Sequence, residues 1–263
     1  MRMFDSHAHY YDERFAEEIG GAENILSALF SDSVGCIINV GTNNENSEEC
    51  IAQAAKYKNM YAAAGIHPSD CRFYNDVEFE IERLKSILAD RKEKKIVAIG
   101  EIGLDYHYEG TDKEKQQAFF ERQLSLARDL DMPVIIHDRE AHGDCFETVR
   151  RYPEVRGVFH SFSGSAEMAK ELVRLGWYIS FSGVLTFKNA NKVKEAARAV
   201  PKDRLLIETD CPYLAPHPHR GELNHSGLMH FTLEALAAIH DAKKEDFAAL
   251  TAKNAAELFG LTL

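Results

Sequence analysis

Asp5, His7 and His9 stand at alternate positions in the stretch MFDSHAH, residues 3–9. In an extended strand, residues two apart share a face, so an acid and two imidazoles point one way while Phe4, Ser6 and Ala8 point the other. Such a group is half of a metal site, because imidazole and carboxylate are common ligands of divalent transition ions. Surface histidines two apart show the same spacing without any ion. The remaining chain must therefore supply further donors at a place where they can meet.

Eight short apolar runs rich in β-branched residues read as strands, at 2–7, 35–41, 61–67, 96–103, 133–138, 157–162, 177–182 and 204–210. Between them lie helical patterns such as 79–92, with Ile81, Leu84, Ile87 and Leu88 at helical spacing. Another covers 111–130 and opens on an expected capping box, Thr111 with Glu114. Strands alternating with helices imply parallel pairing through right-handed crossovers. Eight such units in 263 residues fit an α/β fold of the (β/α)8 TIM-barrel type, a single domain spanning 1–263, since such barrels run to about 250 residues. The irregular stretch 211–227, dense in Pro, Gly and Asn, reads as a long loop after the eighth strand.

On this scheme His7 and His9 close the first strand, His67 the third, Glu101 lies near the end of the fourth, His137 ends the fifth, His160 the sixth and Asp210 the eighth. C-terminal strand ends form the active face of a parallel barrel, where residues remote in sequence surround one axis. Four histidines and two carboxylates there suit a pair of divalent ions. Glu101 is expected to bridge them, with His7, His9 and Asp210 on one ion and His137 and His160 on the other. Two ions about 3.5–4 Å apart stabilise both the attacking and the leaving oxygen of a displacement, so hydrolysis is the natural use.

The rest of the composition narrows the class. The chain is 45% hydrophobic and 28% charged, which supplies a sizeable core. No stretch reads as a membrane span, and Asp5, His7 and His9 occupy the place where a signal peptide needs its apolar region, so a cytoplasmic location is expected. Five widely spaced cysteines without a C-x-x-C pair point to reduced, mostly buried thiols. A net charge of −11 disfavours broad electrostatic clamping of nucleic acid, although bound metal ions can place positive charge locally.

The blocks FDSHAH (4–9), GIHP (65–68), GEIGLDY (100–106), QQAFFERQLSLARDLDMPVIIHDREA (116–141), FHSFSGS (159–165) and ETDCPYLAP (208–216) resemble, in order, the signatures of the TatD family of metal-dependent deoxyribonucleases. The resemblance spans the whole chain. It implies a TIM-barrel metallohydrolase fold related to the amidohydrolases, two divalent ions (Zn, Mn or Mg), and hydrolysis of DNA phosphodiester bonds, commonly exonucleolytic, by attack of water. By position, His7, His9, Glu101, His137, His160 and Asp210 match the family's metal ligands, and His67 matches a histidine that contacts substrate phosphate. Asp210 is the expected general base and Glu101 the expected catalytic bridge.

Several neighbours carry two readings each. Asp5 either orients a ligand or caps a buried polar group, and Asp105 either supports the pocket or bonds loop backbone. Arg139 is an expected phosphate contact, or else a surface ion pair. Ser163, among the serines at 161–165, falls where free helix-start amides could hold phosphate, while Ser165 also fits an ordinary helix cap. Arg220 is a further expected substrate contact. Its loop, HRGELNHSG at 219–227, departs from the family by placing Glu222 and Leu223 where basic residues are usual and His225 and Ser226 where Glu-Pro is usual. Two rivals to a nuclease remain: a metal-dependent ester or amide hydrolase, such as a D-aminoacyl-tRNA deacylase, and a metal-binding protein without turnover. An open six-donor constellation argues against the last, because structural zinc sites are normally closed by four ligands.

Overall fold

The computed structural model describes residues 2–18 and 20–262. Each apolar run forms a strand: β1 (Met3–Ala8), β2 (Val34–Val40), β3 (Met60–Ala64), β4 (Ile96–Asp105), β5 (Val134–Arg139), β6 (Gly157–Phe159), β7 (Tyr178–Phe181) and β8 (Leu205–Ile207). They lie in one sheet in chain order, every neighbouring pair parallel. Helices α1 (Gly21–Asp32), α2 (Asn44–Lys56), α3 (Val77–Leu88), α4 (Lys113–Leu130), α5 (His142–Arg150), α6 (Ala166–Arg174), α7 (Asn191–Ala199), α8 (Met229–Ile239) and α9 (Lys244–Phe259) fill the intervals and follow the last strand. This is a (β/α)8 barrel in a single domain, as the alternation predicts.

The barrel closes just past the last strand. The Asp210 amide donates to the His7 carbonyl at 2.9 Å and the His9 amide to the Cys211 carbonyl at 2.8 Å, forming a parallel bridge between Ala8 and Cys211. Asp5 reinforces the seam from within. Its carboxylate accepts from the Thr209 amide (3.0 Å), the Thr209 hydroxyl (2.6 Å), the Ser226 hydroxyl (2.7 Å) and the His7 amide (3.3 Å). Burial pushes the Asp5 carboxyl up to about 6 against the pull of these bonds.

Two apolar layers flank the sheet. One buried cluster takes a residue from every strand, including Phe4, Ile38, Ile135 and Leu206, and α9 joins it through Leu258 and Phe259. Strand neighbours of opposite parity, such as Ile37, Ile136, Ile179 and Ile207, pack with helix residues Leu84, Leu124, Leu172 and Leu233. All five cysteines are buried free thiols. Among the described residues, no helix is long and apolar enough to cross a membrane.

The structure shifts two of the expected helices. α3 begins at Val77, because Asp76 accepts the Phe79 amide, and it stops at Leu88, because Asp90 adopts a left-handed φ of 24°. The expected capping box of Thr111 with Glu114 is not made. The Thr111 hydroxyl donates to the Tyr108 carbonyl at 2.7 Å in the preceding turn, and Asp112, one residue closer to α4, accepts the Lys115 amide at 3.0 Å.

Gly103 shows how tightly β4 and β5 must approach to set the barrel mouth. It pairs with His137 in register, its φ is +142°, and a Cβ there would lie 2.0 Å from the His137 carbonyl oxygen. Gly103→Ala is therefore expected to destabilise the fold by about 3 kcal/mol, the cost of overpacking against backbone that cannot yield. Urea denaturation compared with wild type measures it.

Candidate metal centre

The expected ligands converge at the C-terminal mouth of the barrel. Glu101, on β4, is 4% exposed at its side chain and divides its two oxygens between two groups of imidazoles. Oε1 lies 2.6 Å from His137 Nδ1 and 2.7 Å from His160 Nε2. Oε2 lies 3.3 Å from His7 Nε2 and 3.7 Å from His9 Nε2. Asp210 completes the second group, with Oδ1 3.2 Å from His9 Nε2 and 3.6 Å from His7 Nε2. Glu101, His137 and His160 thus form one set of ligand atoms within metal-sharing reach, and His7, His9 and Glu101 another.

The strands do not carry all of these residues themselves. β6 ends at Phe159 and β8 at Ile207, so His160 and Asp210 stand on backbone that has already turned. Asp210 has φ 57° and Ser161, next to His160, φ 39°. Left-handed backbone at non-glycine residues is costly and persists where surrounding contacts fix it, here the Asp210–His7 backbone bond and the grip of Glu208 on the Ser161 amide at 2.6 Å.

Three imidazoles are oriented from behind. His9 Nδ1–H donates to the Val40 carbonyl at 2.7 Å, His137 Nε2–H to Asp105 at 3.2 Å, and His160 Nδ1–H to Glu208 at 3.3 Å. With the outer nitrogen carrying a proton, the inner nitrogen presents its lone pair to the centre. A metal-ligating histidine is oriented in this way. His7 stacks on His160 with ring centroids 4.0 Å apart, and among the described residues its buried Nδ1 has no partner.

His67 differs in kind. Its Nδ1 accepts the Ser69 amide at 3.0 Å, so the neutral ring carries its proton on Nε2, which points at Glu101 Oε1 from 3.5 Å. Burial and the charge of His137 push His67 below the usual range, which favours that neutral ring. His67 therefore faces the centre as a donor. His67, Asp105 and His137 could also be gathered around an ion, but Asp105 and His137 Nε2 already satisfy each other, and His67 offers no lone pair.

Electrostatics identify what the centre lacks. Burial opposes the ionisation of Glu101, yet the imidazoles of His160, His67 and His7 outweigh it and hold the carboxyl well below its ordinary range. Burial likewise disfavours charge on His160 and His137. The carboxylates prevail, lifting His160 well above its usual value and His137 up to about 9. The two inner nitrogens of His137 and His160 stand 3.3 Å apart, and those of His7 and His9 3.0 Å apart. A proton or a cation must lie between such pairs, and the buried carboxylates call for cationic charge. The donor set fits divalent ions, with Glu101 as the shared ligand.

Other expected residues are placed as follows. Asp5 does not reach an imidazole; its bonds hold the His7 backbone and the barrel seam. Arg139 lines the 690 Å³ cleft above the centre together with Tyr11, Tyr108, Ser163 and Tyr213. Its guanidinium lies 3.4 Å from the Tyr108 hydroxyl, and among the described residues no carboxylate pairs with it. At the helix start, Glu208 takes the Ser161 amide, the Ser180 carbonyl the Phe162 amide, and Ser165 caps Met168, while Ser163 lines the cleft. Arg220 does not line the cleft. It sits 4.2 Å over the Phe187 ring, in a neighbouring pocket. Glu208 is the partner that sequence reasoning passed over, although it stands two residues before Asp210 in a quoted block.

The TatD related DNase family matches residues 4–260. The chain belongs to this family. Its relatives include the uncharacterized metal-dependent hydrolase YabD of Bacillus subtilis, 37% identical over 98% of both chains. YcfH of Escherichia coli, also named an uncharacterized metal-dependent hydrolase, is 35% identical over 98% of this chain and 96% of its own. The crystal structure of the TatD homologue YjjV from Escherichia coli superposes with a TM-score of 0.90 at 30% identity, covering 99% of each chain. The protein is thus a metal-dependent hydrolase of the TatD family.

Because His137 and His160 hold protons in the metal-free protein and ligation requires neutral rings, metal uptake must release protons. The sign follows from the raised values: below about 9, where His137 is protonated, and wherever the raised His160 keeps its proton, protons compete with metal, so affinity rises with pH through neutrality toward about 9. Calorimetric titration of the chelator-stripped protein in buffers of different ionisation enthalpy, at stepped pH, measures both effects.

Proposed function

We propose that this TatD-family hydrolase cleaves phosphodiester bonds of DNA, releasing nucleotides from a strand end, with two divalent ions held by His7, His9, Glu101, His137, His160 and Asp210. The observation that carries the reading is the presence in one cleft of the His67 Nε2–H and an Arg139 guanidinium that, among the described residues, has no carboxylate partner. A tetrahedral anion above the centre would meet a hydrogen-bond donor on one side and a forked cation on the other, the arrangement that recognises phosphate oxygens.

The rim adds a second kind of contact. Tyr108 is 56% exposed and Tyr213 47% exposed, and both line the cleft with Tyr11. Arg14 lies 3.9 Å over the Tyr213 ring and Arg139 5.5 Å over the Tyr108 ring. Exposed aromatic faces backed by guanidinium groups stack on bases of any sequence. Their place at the mouth suits a nucleotide whose phosphate enters and whose base stays at the rim.

Divalent ions in this donor set would polarise the phosphoryl oxygen and make water acidic enough to attack at neutral pH. The side chains do the rest. His67 holds a phosphoryl oxygen from Nε2, and Arg139 fixes the orientation of the group. Asp210 is kept ionised, since the His9 hydrogen bond and the charges of His7 and His160 outweigh the effect of burial. It can therefore take the proton that the attacking water loses. Glu101 stays charged and shares its two oxygens between the two halves of the centre.

Metal-reconstituted protein is expected to release nucleotides from end-labelled single-stranded DNA, with all activity lost on chelation. Asp210→Asn is expected to lower turnover at least about 100-fold, by more than any loss of metal read by elemental analysis accounts for. Absence of chelator-sensitive release from DNA, together with deacylation of D-aminoacyl-tRNA in a parallel assay, would transfer the activity to acyl esters.

A further inference from the structure

Beside the metal cleft lies a second pocket of 650 Å³, lined by Val184, Phe187, Lys188, Lys192, His217 and Arg220, among others, and by no carboxylate. Val184 lines both pockets, so the two adjoin at that residue. In a chain of net charge −11, a pocket with three permanent cations and no acid is a local reversal of sign. The chain is also folded here so that the pocket holds its shape. Its walls are the segment after β7 and the loop after β8, which the Thr186 hydroxyl fastens together by accepting the His217 amide at 2.8 Å and donating to the Gly183 carbonyl at 2.7 Å.

The backbones of the two walls touch. A Cβ at Gly183 would lie 2.1 Å from the Leu214 carbonyl oxygen. Lys194 donates to the Phe187 carbonyl at 2.8 Å, fixing the backbone that carries the aromatic ring on which Arg220 stacks. Lys188 and Lys192 are exposed, and among the described residues neither has a carboxylate partner.

We propose that this pocket is the track for the part of a single nucleic-acid strand lying outside the metal cleft, with Lys188, Lys192 and Arg220 on its phosphates and Phe187 against a base. The inference rests on the nuclease reading and extends it to length selectivity. An aromatic ring flanked by unpaired cations is the combination that holds single strands without reading sequence, and the shared Val184 wall sets it next to the cleft. It also gives Arg220 a role away from the metals, in the loop whose Glu222 is turned aside onto His219 at 2.8 Å.

The test compares metal-loaded wild type with the surface double variant Lys188→Glu/Lys192→Glu on two substrates, a thymidine dinucleotide and a thymidine single strand of roughly 20 nucleotides. The variant is expected to raise KM for the long strand at least about tenfold, leave dinucleotide kinetics unchanged, and reduce the magnitude of the log–log salt slope for the long strand by about 1.4, from two lost phosphate contacts. Equal kinetics of variant and wild type on both lengths would overturn the track while leaving the nuclease reading standing. Failure of wild type to cleave either substrate would overturn the nuclease reading, and the track with it. Phe187→Ala provides an uncharged check, since loss of stacking must also raise KM for the long strand alone.

Discussion

A buried carboxylate surrounded by imidazoles is the interaction on which the rest of this structure depends. Glu101 could not remain charged at its depth unless positive charge stood beside it, because removing a lone carboxylate from water costs several kcal/mol. Five histidines supply or attract that charge, and their own cost is met one layer further out, where Val40, Asp105 and Glu208 accept the outer N–H groups of His9, His137 and His160. The mouth of the barrel is therefore two layers of polar groups in which His9, His137 and His160 are aimed by the layer behind them, while His7 is held by stacking on the His160 ring. His67, aimed by a backbone amide in place of an acceptor, becomes a donor for the same reason. One hydrogen bond at the far nitrogen separates a ligand from an anion contact.

Closure of the barrel and completion of the centre are a single event. His7 comes from the first strand, His9 from just past its end and Asp210 from just beyond the last strand, and they meet only when backbone bonds join His7 to Asp210 and His9 to Cys211. Asp5 sits under that seam, holding Thr209, Ser226 and the His7 amide at once. Its role is in the geometry of the joint, which explains why a carboxylate so close in sequence to two metal-facing rings touches neither of them.

The alternation of apolar runs with helical patterns made the eight-stranded barrel legible, because a parallel barrel buries both faces of every strand and leaves an unbroken apolar signature. The metal-facing residues were legible for a related reason: imidazoles and carboxylates buried at the ends of apolar runs are costly, so their recurrence at one end of the barrel marks a shared site. What escaped was set by contacts across the fold. Thr111 and Asp112 are both good caps in sequence, and only the turn at Tyr108 decides between them. Glu208 lies in the run leading to Asp210 and gains its purpose from His160 and Ser161, which are 48 and 47 residues away. Arg220 stands in the right loop for substrate, yet the stacking surface of Phe187 draws it out of the metal cleft.

Net charge and local charge act over different distances. At physiological salt, interactions between exposed charges fade over about 8 Å, so the acidic surface elsewhere on the barrel weakly affects a phosphate already at the mouth. On the proposed reading, that phosphate meets the metal-facing cluster, Arg139 and His67, and the next one along the strand meets Lys188, Lys192 and Arg220. A protein with a repulsive exterior and an attractive groove holds a polyanion only where the strand can reach the groove, and releases it wherever the strand is pressed against the remaining surface. On the proposed reading, such a distribution favours a flexible single strand, which can bend from one pocket to the adjoining one, over a stiff duplex.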